Sequence, residues 1–304
     1  MVWPFTHRER PREAVSGRFG PYTIVRTIHD GDKACVYLAN LTETGEPVAI
    51  KVYKPIFDRV SRRMRRKYRI RREGDIGMEF NPPPGVDPAT YPVVRTLASG
   101  REAGRSDGAL FIIMEYVDGP NLKTLVTTED PKLPAARLDI CIAAARALEI
   151  VHSKGLVHRD VCPDNFLLTS GWVPKLIDFG FCAPSGLKFE EKTGTPSYMS
   201  PEQICVEPVT PCSDIYGLGA VMYELFVGRP PFTSRISVSK TGLAARRNSE
   251  IMEQHLHEPP PPPSEIAEGI DPLIEAVILK CLAKRPGDRY ASATEVVRDL
   301  APAR

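Results

Sequence analysis

The chain has 304 residues, of which 42% are hydrophobic and 26% charged, the composition of an ordinary globular protein of one or two lobes. A formal net charge of +2 gives no reason to expect a specific nucleic acid or any other particular partner. The charged first twenty residues argue against a signal peptide, and no later stretch reaches about 18 uninterrupted apolar residues, so we expect no membrane span. Seven cysteines without a CxxC pair indicate free thiols in a reducing compartment, and we predict a soluble, cytoplasmic protein.

The order of predicted elements changes along the chain from strands to helices. Residues 1–20 are polar and punctuated by proline, which indicates a tail. From residue 22 to residue 53, three β-rich runs separated by turn residues predict an antiparallel start. Long helical patterns dominate after residue 119, so we expect a small sheet lobe and a larger helical lobe joined near 115–119. The elements predicted in the intervening part are one helix and two strands, at about 58–80, 92–97 and 110–115.

Most of the candidate catalytic residues lie in the segment HRDVCPDNFLLTSGWVPKLIDFG. Asp160 is followed five residues later by Asn165 and eighteen residues later by Asp178. Together they supply a proton acceptor and two oxygen ligands for magnesium at the spacing that phosphoryl transfer requires. Upstream, Lys51 ends the predicted strand VAIK, from which its ammonium can point at phosphate oxygens while Ala49 leaves room for a flat base.

This segment strongly resembles the catalytic loop, hairpin and magnesium loop of protein kinases, and the resemblance extends from about Tyr22 to about Leu300. The run TGTPSYMSPE, residues 193–202, resembles the end of a serine/threonine kinase activation segment, with serine where alanine is usual before Pro-Glu. The chain is therefore similar to bacterial, eukaryotic-like serine/threonine protein kinases. Small-molecule phosphotransferases use the same set of Asp, Asn and Asp residues but lack a segment like residues 193–202.

The resemblance implies an α+β, bilobal protein-kinase fold. Its small antiparallel-sheet N-lobe carries one main helix, and its larger C-lobe is mostly helical. The implied boundaries are a tail over 1–20 and a kinase domain over 21–304, divided into an N-lobe, a hinge and a C-lobe at 21–114, 115–119 and 120–304.

The resemblance also implies an ATP site. Glu73 is the expected partner of Lys51, with Glu79 a weaker candidate. The residues expected around the nucleotide are Ile28, Gly31, Val36, Ala49, Lys51, Met114, Glu115, Val117 and Leu167. Of these, Met114 guards the rear of the pocket, and Glu115 and Val117 meet the adenine through their backbone.

By the same resemblance, Asp160 accepts or orients the substrate hydroxyl, and Asn165 and Asp178 hold Mg²⁺, with Mn²⁺ as an alternative ion. The chain departs from the family at two places. Gly31 is the one glycine left in the phosphate-covering loop, which predicts a stiff loop and loose ATP binding. Cys162 stands where serine/threonine kinases carry a lysine that neutralises γ-phosphate charge.

Several residues are expected to regulate or anchor the site. In the family, the arginine at the position of Arg159 binds a phosphate on the activation segment. Glu191 stands where a phosphothreonine often sits. Its carboxylate either pairs with Arg159 or is simply exposed to solvent. Thr193 and Thr195 are the hydroxyl candidates in that segment. Cys162 lies close to other loop cysteines, which raises a weaker hypothesis of redox control. Two pairings are also expected from the family pattern: Glu202 with Arg289, and Asp214 with the catalytic loop.

The segment 59–72 carries eight arginines and a lysine. It fits either an acidic partner or a solvated helix face. Taken together, the motifs predict a serine/threonine protein kinase that transfers the ATP γ-phosphate to a protein hydroxyl, slowed by the altered loop and Cys162. The alternative is a kinase-fold pseudoenzyme that holds nucleotide and serves as a scaffold or regulatory module.

Overall fold

The computed structural model describes residues 19–102, 108–236 and 243–303. Most of the predicted tail, residues 1–18, lies outside the described residues. The chain divides into two units. The sheet unit holds the residues up to Asn81 together with Arg95–Val117, and the helical unit holds Pro82–Val94 and the residues from Asp118 onward.

The sheet unit is built on five antiparallel strands in the order β1-β2-β3-β5-β4. Their bounds are β1 Tyr22–Asp30, β2 Ala34–Leu41, β3 Pro47–Tyr53, β4 Thr96–Arg101 and β5 Leu110–Glu115. Alternation along β3 turns Val48 and Ile50 to one face, where they pack with Ala39 and Ile113 in a buried core. The predicted antiparallel start is confirmed, whereas the strand expected from about residue 92 begins only at Thr96.

Two helices, α1 Pro55–Tyr68 and α2 Glu73–Glu79, replace the single main helix predicted over 58–80. The prediction was wrong because α1 ends at Tyr68 and is capped by Arg69, which adopts a left-handed conformation with φ of 54° and donates its backbone N–H to Arg65 O. A left-handed cap is usually a glycine, so no sequence signal marked this end.

Gly74 allows α2 to lie close to the sheet. A Cβ atom built on Gly74 would lie 2.3 Å from Cβ of Ser99 on β4, so a side chain there would push the helix away. Gly74 therefore has a packing role in the first turn of α2, next to Glu73.

The helical unit is built around α6, which is buried along most of its length. Its helices are α3 Leu122–Thr127, α4 Leu133–Ser153, α5 Pro201–Ile204, α6 Pro211–Val227, α7 Ala244–His257, α8 Pro272–Cys281 and α9 Ala293–Leu300. A capping box between Thr210 and Ser213 starts α6, and Gly228 ends it with φ of 84°. Fully buried Tyr216 and Tyr223 make α6 the centre of the unit.

Two short antiparallel pairs complete the helical unit, β6 Leu156–Val157 with β9 Ala183–Pro184 and β7 Phe166–Leu168 with β8 Pro174–Leu176. Residues 82–94 belong to this unit because Val94 N–H donates to Leu176 O at 3.0 Å and Leu176 N–H donates to Pro92 O at 2.8 Å. The sheet unit and the helical unit confirm the predicted α+β class.

Candidate active site

In the sheet unit, Lys51 and Glu73 form a buried ion pair. Lys51 Nζ lies 2.9 Å from Glu73 Oε1, and the two side chains are only 11% and 7% exposed. Glu73 is the first residue of α2, and Lys51 lies on β3 opposite Val36 and Ile112. The weaker candidate, Glu79, pairs instead with Arg71 at the surface. Of the two acidic candidates, the structure therefore brings Glu73 to the lysine.

The strand register collects further predicted residues on the same face of the sheet. Ala49 lies opposite Met114, and Lys51 lies opposite Val36. Directly opposed residues of antiparallel strands point to the same face, as do residues two apart along one strand. Glu115, at the end of β5, is held by its own carboxylate, which accepts the backbone N–H of Arg95 at 2.8 Å. Val117 is the last residue of the sheet unit, and Leu167 lies on β7 of the helical unit.

The predicted phosphate loop is a tight turn fixed by local polar contacts. Gly31 N–H donates to Ala34 O at 3.1 Å, and a Cβ atom on Gly31 would meet His29 Nε2 at 2.4 Å. The Cys35 thiol donates to Asp30 Oδ1 at 3.0 Å, and Lys54 Nζ lies 2.9 Å from the same oxygen. The preceding Ile28 is exposed. The ring of His29 therefore lies against Gly31 in this turn.

In the helical unit, a buried aspartate at the start of α6 anchors the catalytic loop. The backbone N–H groups of His158 and Arg159 donate to the carboxylate of Asp214 at 2.7 and 2.8 Å. His152 Nε2 lies 2.8 Å from the same carboxylate. These bonds hold Arg159 in a left-handed conformation, with φ of 70°, immediately before Asp160. The expected anchoring of the catalytic loop by Asp214 is therefore observed.

Asp160 presents a half-buried carboxylate that is held by hydrogen bonds from two sides. Oδ1 accepts the backbone N–H of Thr195 at 2.9 Å and its hydroxyl at 2.8 Å. The side-chain amide of Asn165 donates to Asp160 O at 2.8 Å and to Oδ2 at 3.3 Å. A carboxylate positioned in this way can accept a hydrogen bond or a proton from a hydroxyl group.

The hairpin β7–β8 brings the two proposed metal ligands to one end. Asn165 directly precedes β7, and Asn165 O accepts the N–H of Ile177, which follows β8. The next residue, Asp178, is left-handed with φ of 62°, and its Oδ1 accepts Gly180 N–H at 3.2 Å.

An amide oxygen and a carboxylate suit Mg²⁺, which binds oxygen and retains several waters or phosphate oxygens. Within residues 19–102, 108–236 and 243–303, no group of three or more His, Cys, Asp or Glu side chains forms a metal cage. A divalent ion here would therefore depend on Asn165, Asp178 and the phosphates that it accompanies. The residues present fit that role.

Cys162 lies in the catalytic loop, two residues after Asp160, and carries a neutral thiol. It is 2% exposed, and burial raises its pKa well above the ordinary value, with the carboxylates of Asp160 and Asp164 adding to the effect. Burial, followed by the hydrogen bond and charge of Asp30, also raises the pKa of Cys35. Because reactive thiols have lowered pKa values, these shifts disfavour redox control at either position.

The contacts of Arg159 involve Thr193 and an aromatic ring of the activation segment. Its guanidinium donates to Thr193 Oγ1 and to Phe181 O, and it lies over the Phe189 ring at 3.4 Å from the centroid. Glu191, which was expected to offer a carboxylate to this arginine, is exposed. The hydroxyl of Thr193 therefore occupies one donor of the guanidinium in this structure.

Gln203, which the sequence analysis did not single out, joins the catalytic loop to the activation segment. Its side-chain amide donates to Arg159 O at 2.8 Å and to Thr193 O at 3.2 Å. Ser200 and Gln203 also form the capping box of α5, which explains the serine found where related chains carry alanine. The Ser-x-x-Gln spacing was the available signal.

Two further links stabilise this side of the helical unit. Arg289 makes a bidentate pair with Glu202 at 2.8 and 2.9 Å, as the family pattern predicted. Glu224, buried on α6, accepts hydrogen bonds from Lys123 and from the Tyr198 hydroxyl. The second link was missed because its members lie far apart in the sequence and match no local motif.

Comparison with known proteins places this geometry in a family. The family model described as the protein kinase domain matches residues 22–299. The chain belongs to the protein kinase family. This protein kinase domain is 34% identical over 286 residues to the serine/threonine-protein kinase PknB of Mycobacterium tuberculosis, covering 92% of the chain.

Two further relatives support the same assignment of the kinase domain. It is 35% identical over 276 residues to PknB of Mycobacterium leprae, covering 89% of the chain. It is also 33% identical over 287 residues to a probable serine/threonine-protein kinase of Streptomyces coelicolor, covering 92% of the chain. The chain spans about two fifths of the length of these relatives, namely 42%, 41% and 39%. Within its described residues, the kinase domain contains no helix that is long and apolar enough to cross a bilayer.

Proposed function

We propose that this kinase domain transfers the γ-phosphate of ATP to serine or threonine hydroxyl groups of a protein. The Asp160 carboxylate, held by Thr195 and Asn165 in a chain of the protein kinase family, is the observation on which the proposal rests. The named relatives are serine/threonine-protein kinases, and the segment at residues 193–202 has the form typical of that class.

Asp160 orients the substrate hydroxyl and takes up its proton. The hydroxyl oxygen forms a bond to the γ-phosphorus while the bond from that phosphorus to the β–γ bridging oxygen breaks, so that ADP leaves with the electron pair. The substrate hydroxyl becomes a phosphate ester, and no covalent enzyme intermediate forms.

Each unit contributes groups suited to a triphosphate. In the sheet unit, the ammonium of Lys51 would bind phosphate oxygens, and its ion pair with Glu73 supports this role. In the helical unit, Asn165 and Asp178 would hold Mg²⁺, with Mn²⁺ as the alternative. When bound, the ion neutralises charge that develops on the phosphates.

The sheet unit also supplies most of the proposed adenine contacts. Val36 and Ala49 lie on the face that carries Lys51, and Met114 lies opposite Ala49. The backbone contacts from Glu115 and Val117, and the roles of Ile28, Gly31 and Leu167, stay predictions.

A nucleotide-binding scaffold is the second candidate function, and buried Cys162 is the observation that favours it. Against it, the chain retains Lys51, Glu73, Asp160, Asn165 and Asp178, and a scaffold has no physical need for every proton and metal position. We therefore favour catalysis, slowed by the missing cation at position 162.

We also propose a location in the cell for this kinase domain. All seven cysteines are unpaired, which supports a reducing, cytoplasmic location. An acidic partner for residues 59–72 stays a prediction.

The test is transfer from labelled ATP with Mg²⁺ to a generic basic protein, followed by phosphoamino-acid analysis. We expect label on serine or threonine. Label on tyrosine would overturn the substrate class. Bound nucleotide without transfer, in both the parent and a Cys162→Lys variant, would favour the scaffold.

A further inference from the structure

Helix α1 presents a strongly basic face to solvent. Arg59, Arg63 and Arg66 are exposed and recur at intervals of four and three residues. At 100° per residue they share an arc of about 120° with Ile56 and Val60. These two apolar side chains are 72% and 53% exposed. We name these five residues the α1 arginine face.

The other side of α1 packs against its own unit. The Phe57 ring stacks on Tyr53, with centroids 5.7 Å apart. Asp58 is buried, and it is the one acidic residue of the helix. The exposed apolar residues of the arginine face are therefore separate from the side chains that hold α1 in place.

Asp58 cannot balance the arginine face because other arginines already surround it. Arg62 lies 2.9 Å from its carboxylate, Arg101 lies at 2.9 Å, and Arg65 lies at 3.9 Å. Burial lowers the pKa of Arg65, and the neighbouring arginines lower it further although Asp58 opposes them. This local excess of positive charge adds to that of the arginine face.

Nothing in the described part of the chain neutralises the exposed arginines. Arg59, Arg63 and Arg66 form no ion pair or side-chain hydrogen bond with any residue within 19–102, 108–236 or 243–303. Three like charges on adjacent turns of one helix repel each other and lower its stability. An anionic partner would remove this repulsion.

We propose that the α1 arginine face docks an acidic segment of a partner protein. Carboxylates, or phosphates on modified side chains, pair with Arg59, Arg63 and Arg66, and the guanidinium fork favours such bidentate contacts. An apolar side chain of the same segment packs against Ile56 and Val60. The positive charge of this face is complementary to the negative charge of that partner. The contact with Ile56 and Val60 fixes the position of the acidic segment along α1.

The composition of the face favours an acidic protein over a membrane surface. Helices that lie in a bilayer interface bury a continuous apolar face, usually with Trp, Phe or Leu. Here the exposed apolar residues are confined to the first two turns, and Phe57 is turned toward Tyr53. The remainder of the face is cationic.

The test measures fluorescence anisotropy of a labelled glutamate-rich peptide that contains leucines, with a glutamine-for-glutamate peptide as the ligand control. We expect the acidic peptide to bind and the glutamine peptide not to bind. The triple variant Arg59→Glu/Arg63→Glu/Arg66→Glu should weaken binding by at least about tenfold. Added salt should weaken binding to the parent.

A matched variant separates this face from general charge. Lys132→Glu/Arg146→Glu/Arg246→Glu makes the same change in net charge at exposed positions of the helical unit, and it should leave peptide affinity unchanged. Equal weakening by both triple variants would overturn the proposal. So would binding of anionic vesicles or a single-stranded oligonucleotide without binding of the peptide.

Folding of each variant is checked by thermal unfolding. If the α1 triple variant is unfolded, Arg63→Glu alone and hydrogen exchange on the parent replace it. Protection of residues 55–68 when the peptide is added supports the proposal. Protection elsewhere without protection of α1 contradicts it.

Discussion

Thr195 donates both its backbone N–H and its hydroxyl to a single oxygen of Asp160, at 2.9 and 2.8 Å. These two bonds connect the end of the activation segment with the proposed proton acceptor. The other carboxylate oxygen receives a longer bond from Asn165. The position of the activation segment and the orientation of the catalytic carboxylate are therefore linked.

Thr195→Val keeps the shape of the side chain and removes the hydroxyl. A hydrogen bond to a charged group contributes about 1.5–3 kcal/mol, so we expect transfer to slow by about tenfold to a hundredfold. Thr195→Ser retains the hydroxyl and should stay near the parent. Steady-state kinetics of both variants test this, and equal rates for Val and Ser would contradict the linkage.

Variants of the Lys51–Glu73 ion pair should affect the free energy of unfolding and ATP binding differently. Glu73→Ala removes the carboxylate that pairs with a buried ammonium and should lower the free energy of unfolding by about 3 kcal/mol. The double variant Lys51→Met/Glu73→Leu removes both charges and should recover most of that loss. It should not recover ATP binding, which needs the ammonium.

Thermal unfolding and nucleotide titration of the parent, the single variant and the double variant measure both effects. Recovery of nucleotide affinity in the double variant would show that Lys51 does not bind the phosphates.

A cation restored at position 162 should raise the rate. One charged hydrogen bond to the transition state contributes about 2–4 kcal/mol, and Cys162→Lys should increase transfer by at least about tenfold. Cys162→Met fills similar space without charge and is the control. A rise in the methionine variant of the same size would attribute the effect to packing.

His255 should make stability depend on pH. Burial, with a further contribution from Lys284, lowers its pKa from 6.5 to about 3, and its Nδ1 lies 2.8 Å from the Tyr216 hydroxyl. Between these pH values the unfolded chain binds more protons than the folded protein. The free energy of unfolding should therefore fall as the pH is lowered from 6.5 toward 3, by up to about 1.4 kcal/mol per unit.

His255→Gln has no titrating group at this position and should show a flatter dependence over that range. Chemical unfolding at several pH values gives the two curves. Parallel curves would mean that His255 does not cause the dependence.

The sequence predicted those contacts whose partners stand at spacings shared across a family. The Lys51–Glu73 pair, the Glu202–Arg289 pair and the anchoring by Asp214 all follow from such spacing. Ala49 and Lys51 were likewise predicted to share the third strand of the sheet, and both lie on β3.

Other features depend on tertiary contacts without a local signal. The end of α1 at Arg69 uses a left-handed arginine where a glycine would have been visible in the sequence. Lys123 and Glu224 meet only because α3 and α6 pack together in the same unit. The neutral state of Cys162 follows from its burial, which spacing alone does not reveal.

Asp160→Asn tests the central claim most directly. The substitution keeps the side chain's size and removes the proton acceptor, so labelled-phosphate transfer should fall to background while ATP binding and thermal stability stay near the parent. Transfer at the parental rate in this variant, with the nucleotide bound, would contradict catalysis by Asp160.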